Sequence, residues 1–346
     1  MTEIVADEIP VETSSALSVD ALTVTFPLGP RRRLTAIEDV SLELARGDSL
    51  GIVGESGCGK TTLARCIVGL QRPDHGTIRI DGDIVGAKRS AQERRAVQLV
   101  FQDPYSSLNP RMTIGAMLTE LLATHDLAHG NDAEERSREL LALVGLPADA
   151  LTRHPGAFSG GQRQRIAIAR ALAVEPRLIV ADEPVSALDV SIQATILELF
   201  AELRDQLGIS LVMISHNLAA VRHVCDRVAV MYLGKVVEVG DTQEVFADPR
   251  HPYTRSLLNA VPQVKRPPPA HRLRLVGEPP SPLSRPTGCS FHPRCPRAEA
   301  ICSVEEPALL SLEGLTQRKA ACHFRNDDPG AHVTVAPDAL DGDLGL

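Results

Sequence analysis

The chain has 346 residues, 43% hydrophobic and 23% charged, a composition that excludes a disordered or fibrous protein and at this length predicts two domains. A net charge of −8, with 3% aromatic residues and no Trp, offers neither a basic field nor base-stacking platforms, so no nucleic-acid partner is expected. No apolar run approaches the roughly 20 residues of a membrane-spanning helix. The N-terminus carries Glu3, Asp7, Glu8 and Glu12 and no basic region before an apolar stretch, so no secretory signal is expected and the protein reads as soluble and intracellular by itself. Its seven cysteines then read as thiols or ligands rather than a disulfide framework.

In chain order, residues 1–16 read as a flexible polar leader. Strands are predicted at Ala21–Phe26 and Val40–Leu44, with Pro27, Gly29, Pro30 and the Arg31–Arg33 run as a solvated loop between them. Ser49–Val53 reads as a buried strand, followed by a Gly-rich loop and a helix from Lys60 to Val68. Residues 112–150 carry Leu118, Leu121, Leu122, Leu140, Leu141 and Val144 at helical spacing. Short apolar strands follow at Leu178–Ala181, Ser210–Ile214 and Val228–Met231, separated by helices, the alternation of a parallel sheet. Thirteen of the 25 prolines then fall between Pro249 and Pro307. Proline removes ladder donors, so this stretch is expected to form a separate loop-rich unit, over 249–325, followed by an acidic flexible tail over 326–346.

Gly54-Glu55-Ser56-Gly57-Cys58-Gly59-Lys60-Thr61 matches the phosphate-binding pattern G-x4-G-K-[ST], and it lies between a predicted strand and helix. Such a loop turns its backbone N–H groups toward phosphate oxygens, and the helix that follows offers its positive N-terminus. Gly54, Ser56, Gly57, Cys58, Gly59, Lys60, Thr61 and Thr62 are therefore candidate ATP-binding residues. Lys60 would place its charge near the β and γ phosphates, and the Thr61 hydroxyl would ligate Mg²⁺. The strand Leu178–Ala181 ends in Asp182 and Glu183, carboxylates at the edge where ligands of open α/β sheets bind. Asp182 is a candidate Mg²⁺ ligand and Glu183 a candidate base for the attacking water. His216, just beyond the Ile209–Ser215 strand, falls on the same edge and is a candidate γ-phosphate contact.

Phe158-Ser159-Gly160-Gly161-Gln162-Arg163-Gln164-Arg165 closely resembles the signature of the ABC transporter ATPases, whose usual first residue is Leu; Ser186-Ala187-Leu188-Asp189 resembles their D-loop and Gln102 in Phe101-Gln102-Asp103-Pro104 their Q-loop. The resemblance runs from Ala21 to Asp248. It implies an α/β P-loop NTPase cassette over 17–248, with a RecA-like core, an antiparallel β subdomain and a helical subdomain over about 103–175. It also implies a head-to-tail cassette pair, in which Ser159, Gly160, Gly161, Gln162 and Asp189 complete the partner's ATP site. Gln102 would join Thr61 and Asp182 at Mg²⁺. Phe26 is the aromatic nearest the loop in sequence for adenine stacking.

Phe101 to Gly115, His251-Pro252-Tyr253-Thr254 and the Pro-rich extension resemble the oligopeptide/dipeptide importer ATPases, in the form usual for their F-type subunit. That implies a different ATPase chain as dimer partner, two transmembrane permease subunits, an extracytoplasmic solute-binding protein, and a peripheral place on the cytoplasmic face of the plasma membrane. Nickel or another solute remains an alternative within the group. A soluble ATP-driven clamp is the alternative outside it, disfavoured by the single phosphate loop and the lack of a long heptad run. Cys289, Cys295, Cys302 and Cys322, spaced C-x5-C-x6-C-x19-C, would staple a core-poor unit as ligands of a [4Fe–4S] cluster, or of zinc. The resemblance includes a similar Cys pattern. Cys58 is expected to be open to oxidation.

Overall fold

A computed structural model describes residues 15–29, 32–86, 88–260 and 278–327. The expected leader up to residue 14, Pro30 and Arg31 of the first loop, and the tail from residue 328 lie outside the described residues. Strand β1 (Ser15–Pro27) pairs with β2 (Arg33–Ala45), both longer than their sequence patterns suggest. Strand β3 (Ser49–Val53) leads through the glycine loop into α1 (Lys60–Ile67), followed by β4 (His75–Ile80), β5 (Asp83–Ile84), α2 (Ala91–Ala96) and β6 (Val97–Val100). A helical segment comes next, with α3 (Pro104–Ser107), α4 (Ile114–Thr124), α5 (Gly130–Leu143) and α6 (Gly160–Leu172). The chain returns through β7 (Leu178–Asp182), α7 (Val190–Leu207), β8 (Ser210–Ile214), α8 (Leu218–Val224), β9 (Arg227–Tyr232) and β10 (Lys235–Asp241). It closes with α9 (Thr242–Ala247), α10 (Pro252–Ala260), α11 (Ala300–Val304), β11 (Leu310–Leu312) and β12 (Leu315–Ala320).

Two sheets result. The antiparallel one runs β2-β1-β4-β5, and the larger one runs β11-β12-β10-β9-β3-β8-β7-β6. Within the larger sheet, β9, β3, β8, β7 and β6 are parallel. They are apolar runs because both faces are covered and successive side chains point to opposite sides. Leu178, Val180, Val212 and Ile214 pack toward α1 and the antiparallel sheet. Ile179, Ala181, Leu211 and Met213 pack toward the helices. Each fully buried Leu or Ile contributes roughly 1.5–3 kcal/mol. Among the described residues no helix is long and apolar enough to cross a membrane.

The proline-rich extension is not separate from the cassette. Strand β12 pairs with β10 at Glu238↔Ala320 and Val239↔Lys319 and so lengthens the core sheet. Phe291 is buried in the cassette's main core, beside Tyr232 and Tyr253. Prolines crowd the connections, and the ladder itself comes from the proline-free stretch Leu315–Ala320.

Candidate active site

The strand order β3-β8-β7-β6 sets four carboxyl ends side by side, and each carries at least one sequence-identified group. Beyond β3 the loop turns into α1 at Gly59, which adopts φ +107°. A Cβ there would stand 2.5 Å from the Ala36 carbonyl of β2, so only glycine fits. Lys60 is buried, and its ammonium donates to the carbonyls of Gly54 at 2.8 Å and Glu55 at 3.0 Å, closing the loop on itself. Ser56 and Gly57 are exposed on the loop and Thr61 on α1, Gly54 is buried and Thr62 is half-buried.

From α1, the Thr61 hydroxyl donates to Asp182 Oδ1 at 3.3 Å. Burial pushes the Asp182 carboxyl up from 3.8, with Glu183 next door adding to the rise and the Thr61 bond opposing it. A cation between Thr61 and Asp182 would offset that cost, so this pair suits Mg²⁺. Glu183 holds a left-handed φ of +48°, uncommon for a residue with a Cβ. Its N–H donates to the Ile214 carbonyl of β8 at 2.9 Å, and its own carbonyl receives Ser186 N–H and hydroxyl at 3.2 and 3.0 Å. Its carboxylate oxygen Oε2 receives Gln102 Nε2 at 3.4 Å and lies 3.2 Å from His216 Nδ1. Gln102, Glu183 and His216 thus converge on one point, beside the Thr61–Asp182 pair.

The Ser159–Gln162 turn stands elsewhere. Ser159 and Gln162 form a reciprocal capping box, with the Ser159 hydroxyl accepting from Gln162 N–H at 3.3 Å and Gln162 Oε1 accepting from Ser159 N–H at 3.0 Å. A Cβ on Gly161 would lie 2.4 Å from Ile192 Cγ2, so glycine lets α6 approach α7. Asp189 is the residue that precedes α7. Among the described residues no hydrogen bond or ion pair joins this turn to the phosphate loop. Phe26 is half-buried and pairs with Leu34, two residues from Ala36. Cys58 is buried and its thiol is pushed up by burial, Lys60 pulling the other way; a protonated, covered thiol departs from the expected oxidation-prone one.

Cys289, Cys295, Cys302 and Cys322 line one small cavity with His251 and Phe291. No disulfide forms among them. Burial pushes the Cys289 thiol up to about 11, with the other three thiols adding to it, and raises Cys295 and Cys322 as well. Four convergent thiols suit a soft metal, yet among the described residues no group of three or more potential ligands stands at ready metal-binding spacing. The structure brings the four thiols to one cavity but does not arrange them as a metal site.

Sequence reasoning missed a set of groups around Glu55. Its N–H donates to Tyr253 Oη at 2.8 Å, and its carboxylate accepts both guanidinium nitrogens of Arg294, at 2.9 and 3.0 Å. Arg294 also lies over Tyr232 and Phe291, 5.9 and 6.0 Å from their ring centres. Tyr253 falls in the His251–Thr254 motif, but nothing local marks Arg294.

Known proteins share both parts of this architecture. Residues 37–186 match the ABC transporter family, and residues 237–302 match the oligopeptide/dipeptide transporter C-terminal region. A probable peptide ABC transporter ATP-binding protein, y4tS, of Sinorhizobium fredii is 45% identical over 95% of this chain and 94% of its own length. The di/tripeptide transport ATP-binding protein DppF of Pseudomonas aeruginosa is 48% identical over 84% and 90%. Among solved structures, cbiO1 from Clostridium perfringens, part of the ABC transporter complex cbiONQ, superposes with a TM-score of 0.60 at 28% identity, covering 68% of this chain and 91% of that one. The cassette MJ0796, solved as a dimer bound to ADP and Pi, gives 0.59 at 29% identity, covering 65% and 98%.

Proposed function

The chain belongs to the ABC transporter ATPases, among relatives that are peptide-import ATP-binding subunits, and from that premise we propose that it hydrolyses ATP to power an importer of oligopeptides or dipeptides. The observation that carries this reading is the match to the peptide group's C-terminal region at 237–302 on a chain that also carries the ABC transporter match at 37–186.

Lys60 and the loop N–H groups bind the phosphates, and Thr61, Asp182 and Gln102 hold Mg²⁺. Held there, Mg²⁺ would supply positive charge against the triphosphate. Glu183 takes the proton of the attacking water, oriented by Gln102 and by His216, which also reaches the γ-phosphate. Ser159, Gly160, Gly161, Gln162 and Asp189 act on the site of a second cassette, a related but different ATPase chain, with the α6 N-terminus facing the γ-phosphate. Phe26 stacks on adenine. Two permease subunits turn cassette closure into alternating access at the cytoplasmic face of the membrane, supplied by an extracytoplasmic solute-binding protein. Cys289, Cys295, Cys302 and Cys322 are the residues that would hold a [4Fe–4S] cluster, or zinc, and such a group would staple the extension.

Uptake of labelled di- and oligopeptides by cells lacking this chain tests the reading. Wild-type chain restores uptake and the Glu183→Gln variant does not; restored nickel uptake with no peptide uptake would move the function to the metal branch.

A further inference from the structure

The phosphate loop carries an acidic residue, Glu55, directly after Gly54, and the extension answers it. Three separate groups grip this one residue. Lys60 Nζ takes its carbonyl at 3.0 Å, Tyr253 Oη takes its N–H at 2.8 Å, and Arg294 takes its carboxylate through two nitrogens. The Arg294 side chain is 5% exposed and that of Glu55 23%. Arg294 ends a short 3₁₀ turn, His292–Arg294, between Cys289 and Cys295, so a residue of the C-terminal extension reaches 239 positions back to the loop.

A carboxylate beside a polyphosphate site repels the ligand, and more strongly where protein covers it from water. A two-point guanidinium contact cancels that charge and fixes where the carboxylate points. We infer that Arg294 is a positioning residue of the ATP site: it neutralises Glu55 and turns its carboxylate aside, so that the loop can accept a triphosphate. Tyr253 holds the loop backbone at the same residue. The inference rests on Gly54–Thr61 being the phosphate-binding loop.

Binding of a fluorescent ATP analogue with Mg²⁺ to the full-length chain, at low and at high salt, tests it. Lys60→Ala is the control on the loop itself: if that variant binds as wild type does, the loop assignment fails, whatever Arg294 does. With the loop confirmed, Arg294→Met is expected to bind at least about fivefold more weakly at low salt, with the gap narrowing as salt screens the bared carboxylate. Arg294→Met combined with Glu55→Gln is expected to return to within about twofold of wild type, because the charge that needed cancelling is gone. Wild-type affinity in a folded Arg294→Met chain overturns the proposal, and so does an equal loss in the single and double variants. Should Arg294→Met alone fail to fold, a folded, ATP-binding double variant supports it. A double variant that also fails to fold reduces the pair to a structural staple and overturns it.

Discussion

His216 Nδ1 stands 3.2 Å from Glu183 Oε2, the same oxygen that Gln102 Nε2 approaches at 3.4 Å. These side chains leave three adjacent strands of one parallel sheet, β8, β7 and β6. The sheet register, rather than any local motif, brings a carboxylate, an amide and an imidazole to one point.

Glu183→Gln keeps this shape and removes the carboxylate that the proposed reaction uses as its base. Turnover is expected to fall by about 10²–10⁴-fold, while ATP affinity stays near wild type and a closed cassette pair accumulates. Steady-state hydrolysis at the wild-type rate would remove Glu183 as the base.

Asp182 titrates in the opposite sense to a salt-bridged carboxylate. Burial raises its folded pKa above 3.8, so its contribution favours the folded state at low pH and is lost as pH rises through the raised value. When ionised, the buried group costs stability until a cation meets it. Asp182→Asn is expected to raise the melting temperature of the nucleotide-free chain, on the order of 2 °C, and to abolish the further rise that Mg²⁺ with ATP gives the wild type. A lower melting point in the variant without ligands would contradict this account.

The strands that build this site are legible in the sequence because sheets covered on both faces write themselves as unbroken apolar runs; Ser210–Ile214 is buried at every position. The hairpin β1–β2 is less so. Ala21 and Asp39 take positive φ, 48° and 50°, and the register shifts around them, so the period of two is broken inside each strand. Strand β12 is hidden for another reason. Of its buried positions, Ala320 is small and Arg318 is paired with Glu238 at 3.2 Å, so an ion pair stands where a large apolar side chain would have announced a strand. Arg294 and Glu55 carry no pattern at all, since only the closed fold brings them together.

Gly161 is required by packing. Alanine there would place its Cβ 2.4 Å from Ile192 Cγ2 and push α6 off α7. The Gly161→Ala variant is expected to lose about 1–3 kcal/mol of stability together with ATPase activity. Adding Ile192→Ala leaves Ile192 Cβ as the nearest atom of that residue, at 3.8 Å, an ordinary contact, and should restore most of the stability. Thermal melts of the two variants check this; equal losses would place the strain elsewhere.

His251 makes the fold acid-sensitive. It is buried, its Nδ1 accepts the Tyr253 N–H at 3.1 Å, and burial pushes its imidazole down to about 3. The unfolded chain takes up a proton below the ordinary 6.5 and the folded chain does not, so stability present above 6.5 drains away as pH falls toward about 3. Glu238, which accepts the His251 N–H at 2.9 Å, opposes this, because burial raises its carboxyl. Below 6.5 the imidazole contributes a slope of up to about 1.4 kcal/mol per pH unit. Asn at position 251 can still accept the Tyr253 N–H but does not titrate. Denaturant melts of His251→Asn across that range are expected to show a flatter pH profile than wild type, and an equally steep one would assign the acid sensitivity to another group.

Cys295 separates a metal staple from four ordinary thiols. Its thiol shares one cavity with Cys289, Cys302 and Cys322, and burial disfavours the ionised form that a ligand must adopt. A bound metal would reverse that preference and tie the extension through its own loops, so that metal content and stability would fall together on Cys295→Ser. Anaerobic purification, metal analysis and a visible spectrum are expected to give iron with broad absorption near about 400 nm in wild type, and neither in the variant. Zinc without colour would keep the staple and remove the redox centre. A wild-type chain free of metal that melts as the variant does would leave the four cysteines as apolar packing around Phe291, and the extension would then owe its hold on the cassette to the β10–β12 ladder and the Arg294–Glu55 pair.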